Sequence, residues 1–115
     1  MTAHELDLLQ GTLDVLVLRA LAGRPLHGYA VARFIRESSD GTFRILDGAL
    51  YTALHRMEER RWVESEWGLS EKGKRAKYYR LTPRGRKQLA TEQSKWEAFS
   101  CAMALILNPA DQEGQ

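Results

Sequence analysis

At 115 residues, with one uninterrupted series of apolar segments, the chain has room for a single domain around one hydrophobic core. Its 43% hydrophobic and 28% charged residues exclude global disorder and fibrous classes. No stretch approaches the roughly 18 to 20 uncharged apolar residues of a bilayer span, and Met1-Thr2-Ala3-His4-Glu5 lacks the basic start of a secretory signal, so a cytoplasmic location is expected.

The first predicted element is a helix over residues 6–21, with Leu6, Leu9, Leu13, Leu16 and Ala20 at helical spacing behind a Thr2-x-x-Glu5 capping-box pattern. Leu8, Val15 and Leu18 make a second apolar face, so two packing partners are expected. Gly11 weakens the first turns, which allows the helix to begin at Thr12 instead. Gly23-Arg24-Pro25 ends it, and Leu26-His27-Gly28-Tyr29 leads into a short second helix carrying Ala30, Val31, Phe34 and Ile35. His27 is read as a structural histidine near the start of that helix. Ser38-Ser39-Asp40-Gly41 punctuates the chain, and residues 42–45 read as a brief extended link.

Asp47 is placed as the cap of a third helix, whose apolar stripe is Leu50, Ala53, Leu54 and Met57. Opposite that stripe stand Gly48, Tyr51, Thr52, His55, Arg56 and Glu59, expected to face outward. Tyr, Thr, His and Arg on one solvated face can donate to phosphates and base edges. After Arg60-Arg61 the period changes to two: Val63, Ser65 and Trp67 alternate with Trp62, Glu64 and Glu66, and Tyr79 and Leu81 alternate with Tyr78, Arg80 and Thr82. The two strands form a β-hairpin whose tip, residues 68–75, includes Lys72, Lys74 and Arg75.

The net charge of +2 is segregated: residues 44–87 hold twelve Lys/Arg against six Asp/Glu, a net of +6, and the remainder carries −4. From Lys72 to Lys87 there are eight basic residues and no acidic one, which fits a surface facing a polyanion and, on composition alone, equally a solvated basic loop. Thr82-Pro83 starts a fourth helix that runs to Leu107, where Asn108-Pro109 stops it. Leu89, Trp96 and Met103 are spaced by seven, with Phe99 and Ile106 three after the last two, an a/d-like seam.

The sole cysteine, Cys101, is expected to be a buried small hydrophobe among Ala102, Met103 and Ala104. His4, His27 and His55 are scattered, with no second cysteine, His-Glu-x-x-His pattern or Gly-rich phosphate loop, so neither catalysis, a metal nor a cofactor is expected.

These elements argue for a mainly α fold with a small β-hairpin (α+β): a winged helix-turn-helix over residues 1–82, a dimerisation helix over 83–107 in the same compact unit, and a frayed tail over 108–115. Surplus apolar surface on the first and fourth helices implies a second subunit, with an interface of Leu9, Leu13, Leu16, Leu89, Trp96, Phe99, Met103 and Ile106. A homodimer sets two reading helices on successive major grooves of a pseudo-palindromic DNA site. The alternative is a winged helix serving as a protein-interaction or RNA-binding module; the basic wing favours duplex DNA.

Leu9-Gln10-Gly11-Thr12-Leu13-Asp14, Pro25-Leu26-His27-Gly28-Tyr29, Leu50-Tyr51-Thr52-Ala53-Leu54-His55-Arg56-Met57-Glu58, and Trp67-Gly68 with Arg75-Ala76-Lys77-Tyr78-Tyr79-Arg80-Leu81-Thr82 together resemble the PadR family of transcriptional regulators. The likeness spans about residues 6–107, and the short single-helix C-terminus is similar to the family's smaller subgroup. It departs from the family's common Ser-Leu-Tyr-Pro at Ala49 and Thr52. The resemblance implies a dimeric repressor, with Tyr51, Thr52, His55 and Arg56 on the reading helix and Lys77 and Tyr79 near the wing touching DNA. It also implies a small-molecule effector. Trp96 either packs the dimer core or, with Phe99 and Met103, lines a slot for a planar aromatic ligand. Drug-sensing members with a tryptophan similarly placed support the slot.

Overall fold

In the computed structural model, which describes residues 10–108, seven elements follow one another: α1 (Gln10–Ala20), β1 (Leu26–His27), α2 (Gly28–Ser38), α3 (Asp47–Glu59), β2 (Val63–Leu69), β3 (Arg75–Leu81) and α4 (Pro83–Leu107). The fold is α+β, as the sequence predicts. The predicted capping box, Leu6, Leu9 and nearly all of the tail lie outside the described residues. The first helix is already formed at Gln10 and Gly11, ahead of Thr12.

Both apolar faces of α1 are used inside the protomer. Leu13, Val17, Leu18 and Leu21 enter one core with Val31 and Ile35 of α2, Leu50, Leu54 and Met57 of α3, Val63 and Leu81 of the sheet, and Leu89 of α4. Leu13 and Leu89 therefore do not stand on a free surface, which corrects their assignment to a subunit interface. Leu16 is half-buried. On α2 the inward face is Ala30, Val31 and Ile35, whereas Phe34 is exposed, one position too far round the helix.

Helices α2 and α3 both end in Schellman motifs with a non-glycine residue in the left-handed region. Gly41 N–H reaches the Arg36 carbonyl (2.8 Å) past Asp40 at φ 53°, and Trp62 N–H reaches the Met57 carbonyl (2.9 Å) past Arg61 at φ 63°. Asp47 is the first residue of α3 and not its cap. Leu46 holds the cap position without a side-chain bond, and the carboxylate of Asp47 instead meets the positive end of the helix dipole.

The sheet has three antiparallel strands in the order β1-β3-β2, not the two of a simple hairpin. Leu26 pairs with Tyr79 and His27 with Tyr78, which fastens the start of α2 to the wing. Strands β2 and β3 run in register from Val63 opposite Leu81 to Leu69 opposite Arg75. The tip is thereby shortened from the predicted 68–75 to residues 70–74, closed by Ser70 N–H to the Lys74 carbonyl (2.7 Å) with Gly73 at φ 73°.

Thr82 caps α4 as its position before Pro83 predicts, its Oγ1 accepting from Gly85 N–H at 3.0 Å. Only Gly85 and Leu89 of α4 are buried, because the helix then runs past the domain. Trp96, Phe99, Met103 and Ile106 are consequently exposed on the protomer, and so is Cys101, contrary to its expected burial. Among the described residues no helix is long and apolar enough to cross a membrane.

Candidate nucleic-acid interface

The start of α2 is set by His27. Its backbone is held in the sheet, and its Nδ1 accepts the Ala30 N–H at 3.1 Å as the helix cap. Gly28 follows because Tyr51 of α3 lies across that helix end: a Cβ on Gly28 would sit 2.6 Å from the Tyr51 hydroxyl. The contact fixes where the tyrosine stands on the outer face of α3.

Tyr51, Thr52 and His55 are exposed there as predicted, with His55 Nε2 3.7 Å from the Glu59 carboxylate one turn on. Arg56 is different. Its guanidinium turns inward and donates from Nη2 to Oδ1 of Asp14 on α1, with side-chain exposures of 19% and 10% for the two partners. Arg56 is thus not one of the outward-facing groups of α3, because a carboxylate that the helix pattern hides among Leu13 and Val17 needs a partner in the interior. Burial raises the Asp14 carboxyl above its ordinary range, while the hydrogen bond and charge of Arg56 pull it back.

Tyr79 also departs from expectation. It is 6% exposed and belongs to the core, and burial, aided by the Glu58 charge, pushes its phenol above its usual range. Lys77 is half-exposed, with Nζ 3.6 Å from Glu58 and 5.7 Å from the Tyr79 ring centre. Glu58 in turn accepts from Ser65 Oγ at 2.5 Å, so this cation is positioned between α3 and the wing.

Toward the tip, Trp67 and Leu69 continue the inward face of β2 beyond the core and are exposed. The Arg75 guanidinium lies 4.5 Å from the Trp67 ring centre, and Lys72 and Lys74 extend into solvent. The two sheet faces divide the charge. Trp67, Arg75 and Lys77 share one face, while Glu64 and Glu66 stand on the other, paired to Arg80 at 2.8 and 3.5 Å.

The basic face, the start of α2 and Tyr51 enclose a cleft of about 990 Å³. Of the residues that the sequence places at the DNA surface, Tyr51, Lys72, Lys74, Arg75, Lys77 and Tyr79 line it, whereas Thr52, His55 and Arg56 do not. Sequence reasoning missed Tyr29, Arg33 and Trp67, which line it too. Tyr29 and Arg33 are four apart on the outward side of α2, and the guanidinium sits 5.7 Å from the ring centre, so that i, i+4 pair was a legible signal. Among the described residues, no group of three His, Cys, Asp or Glu gathers as a metal site would require.

A family profile described as the transcriptional regulator PadR-like family matches residues 17–91. The chain is 29% identical over 90 residues to an uncharacterized protein X of Lysinibacillus sphaericus, covering 78% of this chain and 83% of that one. It is 45% identical over 79 residues, 69% of this chain, to an uncharacterized 37.1 kDa protein of transposon TN4556 from Streptomyces fradiae, of which the match spans 21%. Among solved structures, a PadR family transcription regulator from Clostridium difficile superposes with a TM-score of 0.73 at 31% identity, covering 84% of this chain and 98% of that one.

Proposed function

Because the chain belongs to the PadR-like family of transcriptional regulators, we propose that it is a cytoplasmic, homodimeric repressor that reads a pseudo-palindromic DNA operator and responds to a small effector. The observation that carries the DNA reading is the cleft: cations and aromatic side chains from α2, α3 and the wing converge on one concave surface, while Glu64 and Glu66 of the wing face away. Tyr51, Thr52 and His55 present donors to base edges or phosphates in the major groove, and Lys72, Lys74, Arg75 and Lys77 neutralise phosphates beside it. Arg56 supports this surface from behind, and Tyr79, though largely buried, lines it.

Gel retardation of a fragment of the gene's own promoter against random duplex tests this reading. Specific binding should weaken with salt, the logarithmic slope falling by about 0.9 for each phosphate contact removed. Lys74→Ala is expected to reduce the slope by about one such unit and to weaken both duplexes alike. Equal retardation of promoter and random duplex by the wild-type chain would defeat the sequence-reading proposal.

The second subunit is proposed to cover α4. Phe99 and Ile106 are 54% and 74% exposed, and with Trp96 and Met103 they form an exposed apolar band along α4, the kind of surface that marks an interaction face. Leu16 and Val15 of α1 lie half-buried beside it. Residues 83–107 thus serve as the dimerisation helix of a unit whose residues 1–82 hold the DNA surface, with residues 108–115 as its tail. Phe99→Glu with Ile106→Glu should yield a monomer by sedimentation, with unfolding still cooperative, and DNA affinity should fall with the loss of the second half-site. A dimer surviving both substitutions would place the interface elsewhere.

The Trp96 and Phe99 rings stack at 5.4 Å with 27° between their planes, at the edge of a groove of about 380 Å³ between α1 and α4. This supports a seat for a planar aromatic effector, with Met103 one turn further along. A variant with Trp62 and Trp67 replaced by Phe isolates Trp96 fluorescence for titration with phenolic acids and cationic dyes. Quenching together with operator release is the expected result, and in Trp96→Leu both binding, followed by the ligand's own signal, and release should be lost.

A further inference from the structure

The cleft contains a donor that the chain itself does not satisfy. His27 lines the cleft and is 8% exposed, and because its Nδ1 accepts the Ala30 N–H, the hydrogen of the neutral ring sits on Nε2, on the side of Glu71, which lines the cleft as well. Nε2 has no hydrogen bond among the described residues. Its nearest acidic group is the Glu71 carboxylate at 3.5 Å, beyond the ordinary hydrogen-bond range. Glu71 is the acidic residue at the tip of a wing whose neighbours are Lys72 and Lys74, and it reaches back across the cleft from there. Arg33 lines the same space, and the Tyr78 ring meets the imidazole in a T-shaped contact with 5.3 Å between ring centres, which holds the ring in place.

Resting on the DNA reading above, we propose that His27 Nε2, Arg33 and the Tyr51 hydroxyl at the start of α2 form a seat for one DNA backbone phosphate, and that Glu71 occupies it in the free protein as an internal stand-in. A carboxylate and a phosphate ask for the same things: N–H donors, a nearby cation and the positive end of a helix. The Glu71 carboxyl is already held below its usual range by its own backbone N–H and then by His27, with Arg33 adding to the effect. A backbone phosphodiester offers the same single charge on two non-bridging oxygens and is held in place by the rest of the duplex interface, so it displaces the longer, solvent-exposed contact. Release of Glu71 also frees the wing tip to turn Lys72 and Lys74 toward the duplex.

The test is fluorescence-anisotropy binding of a random duplex of about two helical turns, since a phosphate seat is indifferent to sequence. Glu71→Gln should bind about 3-fold more tightly, the scale of an exposed charged contact. Glu66→Gln removes the same charge from the opposite face of the wing and should stay within about 1.5-fold of wild type. His27→Asn keeps a capping acceptor but lacks the reach of Nε2, and in that background Glu71→Gln should bring no gain beyond that of Glu66→Gln. A fold-independent readout comes from the intact chain: the ¹⁵N resonance of His27 Nε2 should move on adding duplex to wild type, and in free Glu71→Gln.

The stand-in is overturned if Glu71→Gln and Glu66→Gln tighten binding equally, if the gain persists in His27→Asn, or if duplex leaves the Nε2 resonance unmoved while binding. Absence of binding by wild type to any duplex at low salt would instead strike the DNA reading itself.

Discussion

Replacing Gly85 by alanine is expected to lower the melting temperature by 10 °C or more, about 3 kcal/mol for a domain of this size. A Cβ there would fall on the Trp62 carbonyl oxygen, and it would also stand 2.9 Å from the carbonyl carbon and 3.3 Å from Cδ2 of Leu81. The carbonyl cannot step aside cheaply, because it accepts Thr82 N–H at 3.0 Å and Thr82 Oγ1 at 3.2 Å, the same hydroxyl that caps α4. Alanine's intrinsic preference for helix is worth about 1 kcal/mol, too little to offset a clash with fixed backbone. Gly48→Ala is the control. Nothing lies within 4 Å of a Cβ at Gly48, so that variant should gain about 0.5–1 kcal/mol. Thermal unfolding of the two variants should therefore move in opposite directions.

Arg56→Met is expected to cost about 3 kcal/mol, the lower range for removing one partner of a buried ion pair, because Asp14 keeps its charge and loses its counter-ion. The pH dependence carries the signature. Burial already raises the Asp14 carboxyl above its unfolded value despite Arg56, so the folded protein holds that proton more tightly than the unfolded chain. Ionised Asp14 thus costs stability at neutral pH, and the cost is relieved as pH falls through the raised value toward the unfolded value of about 3.9. Without Arg56 the rise is larger. The melting-temperature gap between wild type and Arg56→Met should be widest near pH 7 and should narrow as pH approaches 4. Asp14→Leu combined with Arg56→Met should recover much of the loss. A gap independent of pH would mean that Asp14 is not the group left stranded. Base preference of the folded Arg56→Met variant should be unchanged, which separates this role from direct contact with DNA.

Much of the architecture was legible because it is periodic or punctuated. The stripe of Leu50, Ala53, Leu54 and Met57 is buried as its spacing requires, since a 3.6-residue period can hide only one face of α3. The switch to period two after Arg61, and Thr82 before Pro83, mark strands and a cap that local geometry enforces wherever the rest of the chain lies. The charge asymmetry was likewise written in the composition, and the cleft gathers Lys72, Lys74, Arg75 and Lys77 from it.

Tertiary packing decided what periodicity leaves open, namely what stands opposite a given face. Arg56 lies on the outward arc of α3 when the helix is taken alone, but Asp14, 42 residues away, draws it inward. Tyr79 shares its face of β3 with Lys77, yet it falls where the strand crosses the core and is buried, while Trp67 and Leu69 continue a buried face past the edge of the domain and emerge. Leu13 and Leu89 were consumed by contacts within one protomer, and Cys101 was exposed by the length of α4 beyond it. The two-residue β1 has no local pattern of its own: it exists because β3 offers an edge at the place where His27 caps α2. Sequence by itself determined the four helices and the hairpin, their order and their charge, because these depend on neighbours within a few residues. Only the tertiary structure decided which side chains remain free to meet DNA, because that depends on partners the chain brings together from tens of residues apart.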